Sequence, residues 1–318
     1  MAILGIDLGG TKITTALFTE GGNMLERKSV TLDNRKGPEV GALMCEQIIL
    51  MMELSLVQGS NIKSIGISVP GISYSRTGTV WAPNIKGWDD YPLHDEVKTL
   101  TGDIPLTIDS DRACYILGEL WKGNARGCRD VIFIAVGTGI GAGILVNGEI
   151  LRGINDIAGS VGWMALSRPF YEYYSSCGCF EYHASGEGIA KVTRQYLSHQ
   201  DNYHGDLSNK EISEINSYDV INAYNNGDLL AKKVIGECIE FWGMAVANLV
   251  SIFNPEKIIF GGGLFGPAIP LLPYIKEEAE KWSQPISIRL VKIQASALAG
   301  DAGVYGAGYL ALTHLTEL

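Results

Sequence analysis

The chain has 318 residues, of which 46% are hydrophobic and 19% are charged, a balance typical of a globular enzyme with two domains or lobes. Its net charge of −10 argues against nucleic acid as a partner, because phosphate backbones attract surfaces rich in lysine and arginine. Six cysteines are too few for a disulfide scaffold of this length. No signal-like start is present, and no apolar run approaches the roughly 20 residues that cross a bilayer. We therefore expect a cytoplasmic protein without nucleic-acid or membrane partners.

The first half of the chain reads as an alternation of strands, glycine turns and helices. The predicted strands cover residues 2–7, 13–18, 24–32, 62–69 and 104–108. Apolar spacing predicts helices near 40–54 and over 93–100, and Gly, Pro and Ser mark 72–92 as a loop or short hairpin. Residues 109–111 (Asp-Ser-Asp) supply an N-cap for a helix that runs to about Lys122.

The second half begins the same pattern again about 130 residues later. Its predicted strands cover residues 131–136, 141–146, 149–151, 257–260 and 288–293. A long helix is predicted from about residue 228 to 254, and a helix of small residues over about 300–312. The polar segment 198–218 reads as a loop. This repetition of a strand–glycine turn–strand unit indicates duplicated lobes.

Three glycine turns follow apolar strands and are separated by whole domains of sequence. They are Asp-Leu-Gly-Gly-Thr-Lys (7–12), Gly-Thr-Gly-Ile-Gly (137–141) and Gly-Gly-Gly (261–263). Such turns leave backbone N–H groups pointing outward, and the missing side chains let a phosphate approach closely. A single turn is weak evidence, but three in this order and separation predict a phosphate-binding enzyme.

This pattern resembles the actin-like ATPase superfamily. Within it, the chain resembles the ROK family of bacterial sugar kinases and sugar-responsive repressors over nearly its full length. The matching segments are GIDLGGTK (5–12), VPG (69–71), APN (82–84), SDRA (110–113), LGE (117–119), VGTGIGAGI (136–144), NPE (254–256), FGGG (260–263) and the glycine-rich stretch 303–308.

The resemblance implies an α/β fold, with two actin-like (ribonuclease H-like) lobes of βββαβαβα type around a central cleft. The smaller lobe would comprise residues 1–112 and 301–318 and carry the first phosphate loop, the sugar loop and the catalytic aspartate. The larger lobe, 113–300, would carry the second phosphate loop, the adenosine site and a homodimer surface. Repressors of the family carry a DNA-binding domain before the first glycine turn. We expect none here, since the first strand begins at residue 2.

The resemblance also implies ATP and Mg²⁺ as cofactors. The residues that would bind them are Asp7 (facing Mg²⁺ through the phosphates), Gly9, Gly10, Thr11 and Lys12 in the first loop, Gly137, Thr138 and Gly139 in the second, and Gly261, Gly262 and Gly263 against adenosine. For Asp7 the alternative role is that of a strand-end acid capping a turn.

Asp111 is the predicted catalytic base. A sugar kinase needs a carboxylate that orients the acceptor hydroxyl and takes its proton, and a helix N-terminus favours the ionised form. The alternative is that Asp111 only caps the helix, a task that Asp109 would perform equally well. The spacing to Leu-Gly-Glu (117–119) matches the catalytic aspartate of the family and decides for Asp111.

The resemblance places the acceptor site at Gly71, Asn84, Ser110, Asp111, Ser160, Trp163 and Glu181. Three of these depart from the family pattern, because Ser110, Ser160 and Trp163 stand where Asn, Glu and His are usual. The zinc motif is also degenerate. Only Cys177 and Cys179 remain, with no placed histidine, so we expect no structural zinc.

Aromatic residues are frequent in the same segments, and each either stacks on a sugar or packs in a core. Core packing is the expected role for all but Trp163, which is left open. The residues are Trp81, Trp88, Trp163, Tyr171, Tyr173 and Tyr174.

The residues together predict an ATP-dependent kinase of a sugar or sugar derivative. Loss of a carboxylate from the acceptor site implies that glucose is not the best substrate, and favours a less hydroxylated, differently configured or N-acetylated sugar. The rival hypothesis is a non-catalytic sugar-sensing or regulatory ROK protein. A bare ATPase is a third possibility, which the retained Asn84 and Glu181 disfavour.

Overall fold

The computed structural model describes residues 1–200 and 202–317, which form twelve β-strands and ten α-helices. The strands are β1 (Ala2–Leu8), β2 (Lys12–Phe18), β3 (Met24–Thr31), β4 (Ile62–Val69), β5 (Ile72–Tyr74), β6 (Thr79–Trp81), β7 (Leu106–Ser110), β8 (Val131–Val136), β9 (Ile140–Val146), β10 (Glu149–Ile150), β11 (Lys257–Gly261) and β12 (Lys292–Ala295). The helices are α1 (Pro38–Val57), α2 (Leu93–Thr101), α3 (Asp111–Lys122), α4 (Cys179–Ala184), α5 (Gly186–Ser198), α6 (Ser217–Asn225), α7 (Leu229–Phe253), α8 (Leu272–Trp282), α9 (Ser287–Leu290) and α10 (Ala302–Glu317).

The chain divides into two compact units. The first contains residues 1–127, 150–158 and those from 300 onward, and the second contains 128–149 and 159–299. This division differs from the predicted lobes, which placed residues 113–127 and 150–158 in the larger one. The two segments go with the first unit because α3 packs along α10 and because Arg152 forms an ion pair with Asp109. The assignment of functions to the lobes stays a prediction.

The sheet of the first unit has the strand order β3-β2-β1-β4-β7. The pairs β3–β2 and β2–β1 are antiparallel, whereas β1–β4 and β4–β7 are parallel. Side chains alternate between the two faces along each strand. Leu4 and Ile6 pack with α1 and α2 in one core, whereas Gly5 and Asp7 face α10.

Helix α10 packs unusually close to the sheet and to α3, and glycines make this possible. A Cβ on Gly5 would lie 2.7 Å from the carbonyl oxygen of Val304, and one on Gly306 would overlap the carbonyl of Cys114. A Cβ on Gly66 or on Gly118 would likewise overlap backbone atoms of α10. Glycine inside a helix costs about 0.5–1 kcal/mol relative to alanine, so these residues are explained by the backbone approach and not by helix propensity.

The second unit repeats the topology of the first. Its sheet has the order β10-β9-β8-β11-β12, with β8–β9 antiparallel and β8–β11 and β11–β12 parallel. The core lies between this sheet and a helical layer dominated by α7, whose Trp242 is fully buried. The common strand order confirms the predicted duplication.

Most predicted elements are observed within two residues of their expected ends, with one clear error. The predicted strand over 288–293 is wrong, because residues Ser287–Leu290 form the short helix α9 and the strand β12 begins at Lys292. Ile288 is buried in the core of the unit, as expected for a strand residue, but it belongs to a short helix. Burial of an apolar residue does not by itself distinguish a strand from a helix.

Two helices, α1 and α7, are long and apolar enough to cross a membrane by length and composition. The prediction that no apolar run approaches that length is therefore wrong. The length test alone is weak evidence for a membrane span, since core helices pass it as well. Val40, Met44 and Ile48 of α1 pack in the core of the first unit, and Val234 and Trp242 of α7 pack in that of the second.

The close approach of α10 predicts a large difference between two glycine-to-alanine substitutions. Gly306→Ala should lower stability by about 1–3 kcal/mol, because the new methyl group overlaps a backbone carbonyl that has no room to retreat. Gly236→Ala in α7 meets no atom within 4 Å and should raise stability by about 0.5–1 kcal/mol. Urea unfolding of both variants measures the difference, and equal effects would contradict this account of the packing.

Candidate active site

A row of polar residues crosses the α10 face of the first sheet. In the parallel register Asp7 lies beside Ser68, and Ser68 lies beside Asp109. The Ser68 hydroxyl donates a hydrogen bond of 2.7 Å to Asp7 Oδ1. The carboxyl ends of these parallel strands therefore bring three polar side chains together on one face.

Gly303 of α10 makes room for the carboxylate of Asp7. A Cβ on Gly303 would lie 2.5 Å from Cγ and from both oxygens of Asp7. Burial raises the pKa of Asp7, while the Ser68 hydrogen bond and the nearby charge of Lys12 oppose this rise. Asp7 is thus a half-buried carboxylate held by Ser68 beside Gly303, and its role toward Mg²⁺ stays a prediction.

Asp111 is the first residue of α3, and the residue that caps this helix is Ser110. The Ser110 hydroxyl accepts the Ala113 N–H at 3.3 Å. One Asp111 oxygen accepts the Arg112 N–H at 2.8 Å, and the other lies 3.5 Å from the Tyr115 hydroxyl. The cap thus lies within the predicted segment 109–111, the alternative that Asp111 only caps the helix is not observed, and the carboxylate of Asp111 is available for another role.

The environment of Asp111 raises its pKa from 3.8 to about 6. Burial is the main cause, the charge of Arg112 opposes it, and the carboxylate of Asp7 adds to it. Perturbed carboxylates of this kind are frequent in functional sites, which makes the pair a candidate site.

Asp109 has a different role from Asp111. It is buried, accepts the N–H of Ser110 at 2.7 Å, and receives two hydrogen bonds from Arg152 at 2.6 and 3.0 Å. This ion pair ties the segment 150–158 to the strand that precedes α3. Asp109 therefore holds the backbone around Asp111 and is fully engaged in doing so.

Gly71 lies close to the start of α3. Its carbonyl oxygen accepts a long hydrogen bond, 3.4 Å, from the Arg112 guanidinium, and a side chain at this position would overlap the backbone of Trp81. Asn84 lies beside the first glycine turn, where a Cβ on Gly10 would be 3.4 Å from the Cβ of Asn84. The first unit thus brings Asn84 next to the turn that contains Gly9, Gly10, Thr11 and Lys12.

The second glycine turn is tied to Glu181 within the second unit. Glu181 Oε2 accepts the Ile140 N–H at 2.6 Å, and a Cβ on Gly139 would lie 2.6 Å from the same oxygen. Burial raises the pKa of Glu181, and the Ile140 N–H lowers it. A Cβ on Gly162 would also contact Glu181, at 3.0 Å, so the 3₁₀ turn Val161–Trp163 belongs to the same cluster.

Ser160 and Trp163 are at the two ends of this turn. Ser160 is half-buried, and the Trp163 side chain is 56% exposed. Trp163 is therefore not a core residue, which answers the question that the sequence left open. The Trp163 backbone packs closely against Gly178, since a Cβ at this glycine would lie 2.5 Å from the Trp163 Cα.

A pocket of about 500 Å³ lies beside the second and third glycine turns. Its walls include Gly137 and Thr138, Glu187 of α5, Tyr218 of α6, and Gly263. The Tyr218 hydroxyl donates to the Gly263 carbonyl at 3.2 Å, and space above Gly137 is open, with no atom within 4 Å of a Cβ. The size suits a small organic ligand.

The three glycines of the last turn are not equivalent. Gly261 is buried and leaves room for the ring of Phe133, and Gly262 has φ +87° beside the backbone of Val136. Only Gly263 lines the pocket. Internal packing therefore explains two of the glycines that were predicted to lie against adenosine.

The degenerate zinc segment contains an aromatic cluster. His183 lies in α4, its Nε2 is 2.8 Å from the Tyr174 hydroxyl, and its ring stacks on Phe241 with centroids 4.4 Å apart. Among the side chains that the structure describes, no group of three His, Cys, Asp or Glu is arranged to hold a metal ion. The expected absence of zinc stays a prediction.

Core packing of the aromatic residues is confirmed for two of them. Trp88 and Tyr174 are buried, whereas Trp81, Tyr171 and Tyr173 are more than a third exposed, contrary to expectation. Trp88 stacks on Tyr91 with centroids 4.3 Å apart and donates its indole N–H to the Gly37 carbonyl at 2.9 Å.

Several residues of the candidate site were not predicted from the sequence. Ser68, Arg112 and Tyr115 contact predicted residues, and Tyr218 and Glu187 line the second-unit pocket. The signal for Ser68 was available, since a serine in register with Asp7 on a parallel neighbour lies on the same face. Tyr218 follows a polar loop, and nothing local indicates where that loop folds.

With this geometry established, comparison with known proteins identifies the family. A model of the ROK family matches residues 3–314. The chain belongs to the ROK family. Its fold is that of the actin-like ATPases, in agreement with the duplicated sheets.

Relatives in the ROK family include both kinases and repressors. A glucokinase from Halalkalibacterium halodurans is 33% identical over 315 residues, covering 96% of this chain and 94% of that protein. A xylose repressor from Caldicellulosiruptor bescii is 32% identical and covers 96% of this chain and 76% of the repressor. The crystal structure of a ROK family glucokinase from Streptomyces griseus in complex with glucose and AMPPNP has a TM-score of 0.80 and 27% identity, covering 98% of this chain and all of the other.

The raised pKa of Asp111 predicts that Asp111→Asn stabilises the protein in a pH-dependent way. The folded-state pKa, about 6, lies above the ordinary value of 3.8, so the ionised carboxylate destabilises the fold. This penalty is absent below about pH 4 and complete above about pH 6. The variant should therefore have a higher Tm than wild type at pH 8 and an equal Tm at pH 4.

Asp103→Asn is the control, because Asp103 is an exposed carboxylate of the same unit. The control removes the same charge and should show no such pH-dependent gain. A lower Tm for Asp111→Asn at pH 8 would indicate that Asp111 has a purely structural role.

Proposed function

We propose that the chain is an ATP-dependent sugar kinase in which Asp111 takes the proton of the acceptor hydroxyl. The observation that carries this proposal is the setting of Asp111: a half-buried carboxylate at the start of α3, uncommitted as a cap, influenced by Asp7 and next to Gly71. Membership of the ROK family and the kinases among its relatives support the reaction.

The proposed base is suited to work near neutral pH. With a pKa of about 6, Asp111 is mostly ionised at pH 7 and is also a stronger base than an exposed aspartate. The Arg112 N–H and the Tyr115 hydroxyl fix the direction of its oxygens. An acceptor hydroxyl that donates to Asp111 would therefore become more nucleophilic as its proton moves to the carboxylate.

Two features of the chain suit the binding of ATP and of Mg²⁺. The pocket of the second unit has the volume of a nucleoside site, and its glycine turn at 137–139 leaves open space above Gly137 for a ligand. Asp7 presents a carboxylate, the ligand type that Mg²⁺ prefers, in the space that Gly303 leaves free. Bound Mg·ATP would supply the phosphoryl group and neutralise its charge.

A sugar-responsive regulator without turnover is the second candidate, and the 32% identity to a xylose repressor favours it. Both candidates bind a sugar, and the resemblance to the family assigns Asn84 and Glu181 to that role. They differ in whether phosphoryl transfer takes place. Homodimerisation and a cytoplasmic location stay predictions for either candidate.

Asp111→Asn should lower kcat for sugar-dependent ADP release by about 10²–10⁴-fold, because the amide cannot accept the hydroxyl proton. Wild-type kcat/KM should fall below about pH 6, where Asp111 becomes protonated. Steady-state ADP release between pH 4.5 and 9 measures both effects, and Asp103→Asn should retain wild-type rates.

The regulator hypothesis predicts a different outcome from the same experiment. Wild type would then bind sugar, as measured by calorimetry, without releasing ADP at any pH. If the residual kcat/KM of Asp111→Asn still falls at acid pH, the group whose protonation lowers activity is not Asp111.

The acceptor side supports a substrate other than glucose. At the ends of the turn beside Glu181, Ser160 and Trp163 replace the Glu and His expected in the family, and Trp163 projects an exposed indole. A serine hydroxyl is shorter than a glutamate and carries no charge. The site therefore has one carboxylate fewer for sugar hydroxyls than the family pattern, and a sugar with fewer or differently placed hydroxyls loses less by binding there.

We expect that a panel of sugars will show at least one with a higher kcat/KM than glucose. Ser160→Glu combined with Trp163→His should raise kcat/KM for glucose by about 10-fold or more, because a charged hydrogen bond contributes about 1.5–3 kcal/mol. Ser160→Gln with Trp163→His is the matched control, since it has the same shape without the charge. Glucose as the best substrate of wild type, or an equal gain in the control, would contradict this assignment.

A further inference from the structure

A second pocket lies in the first unit, where Gly10 and Thr11 of the first glycine turn and Asn84 form part of its wall. It has a volume of about 540 Å³ and lies between the segment 31–36 and residues 84–86, with Gly10 at one end. We call it the 31–36 pocket. Its volume is in the range of small-ligand sites and is several times that of a single phosphate.

Basic side chains outnumber acidic ones in the lining of the 31–36 pocket. Arg35, Lys36 and Lys86 line it, against the single acid Asp33. Asp33 already interacts with Arg35, with Oδ2 and Nη1 3.4 Å apart. Among the residues that the structure describes, neither the Lys36 nor the Lys86 ammonium group has an acidic partner, while the Lys36 backbone N–H donates to Glu39 Oε2 at 3.1 Å. Two ammonium groups therefore remain for a ligand. This is notable in a chain whose net charge is −10.

The backbone around the pocket is held in place by neighbouring buried groups. The Gly37 N–H donates to the Lys86 carbonyl at 2.8 Å, and the Leu32 N–H donates to the Thr11 carbonyl at 2.8 Å. The buried indole of Trp88 donates to the carbonyl of Gly37. The two lysine-bearing segments are thus tied to each other, and a ligand would find their separation already set.

We propose that the 31–36 pocket binds the phosphate or carboxylate group of a small anionic ligand. Lysine ammonium groups recognise such groups as point charges, and two of them flanking one cavity favour an anion over a neutral molecule. Asn84, the proposed sugar contact, is itself part of the pocket wall, so the anionic group is either a substituent of the acceptor sugar or part of a free anion bound beside it. We call the molecule that bears the anionic group the carrier. The identity of the carrier rests on the proposed function, whereas the anion site itself does not.

Inorganic phosphate is the probe for the site. Calorimetric titration at constant ionic strength should show phosphate binding to wild type, and Lys36→Gln with Lys86→Gln should weaken it about tenfold. Lys63→Gln with Lys292→Gln is the control, because both lysines are exposed, lie outside the pocket and change the net charge equally. Binding in the control should stay within about twofold of wild type.

Three results would overturn the proposal: no phosphate binding to wild type, equal binding in both double variants and wild type, or equal weakening in the two double variants. The last would reflect overall charge. Circular dichroism and Tm establish that each variant is folded, which is expected because all four lysines are exposed.

Kinetics with glucuronate and glucose, a matched acidic and neutral pair, then distinguish the two carriers. A KM that rises about tenfold for glucuronate alone in the pocket variant assigns the anion to the acceptor. Unchanged KM for both sugars, with phosphate binding lost, assigns it to a free anion. Absence of any sugar-dependent ADP release by wild type would refute the proposed kinase function, while the phosphate titration would still decide the anion site.

Discussion

The close packing of α10 against the first sheet is the constraint on which the candidate site depends. Gly303 and Gly306 permit the approach from the helix, and Gly5, Gly66 and Gly118 permit it from the sheet and α3. Without these residues the helix would have to move outward by the thickness of a methyl group or more. Because the carboxylate of Asp7 lies in the gap at Gly303, the same packing that forms the core also sets the position of the carboxylate that is proposed to bind Mg²⁺.

This packing also explains the electrostatics of the site. Asp7 and Asp111 lie at the ends of β1 and at the start of α3, the two elements that α10 covers. Covering them removes water from the carboxylates and raises the pKa of each. The fold thus maintains two partly desolvated acids that weaken its stability at neutral pH. Such a cost is typical of a functional site and has no purpose in a purely structural one.

The sequence predicted the fold well because the glycine turns and strands are local patterns. Strands β4 and β8 and the end of α3 were predicted to the residue, and the repeated unit indicated the duplication. The apolar residue Ile288 was assigned to a strand, since a short buried segment has no period that distinguishes strand from helix. The lobe boundary was placed too early, because the attachment of segment 150–158 depends on the ion pair of Arg152 with Asp109, which is remote in sequence.

The candidate site was predictable to a lesser degree, for reasons that differ between residues. Asp111 was found by its spacing, yet only the structure shows that Ser110 is the cap and that Asp109 is bound by Arg152. Gly261 and Gly262 were predicted as ligand residues, although neighbouring rings and backbone account for them. A glycine that serves internal packing and one that serves a ligand are identical in sequence, so spacing cannot separate them.

The donor and acceptor sides of the proposed reaction are built in different ways. The donor side uses missing side chains: the space above Gly137 is open, and a side chain at Gly303 would overlap the carboxylate of Asp7. The acceptor side uses side chains on short turns, such as Asn84 and Trp163, both of which are exposed. These can be exchanged at little cost to stability. A chain can therefore retain phosphoryl-transfer geometry while its acceptor changes, which is why the family resemblance specifies the reaction more firmly than the sugar.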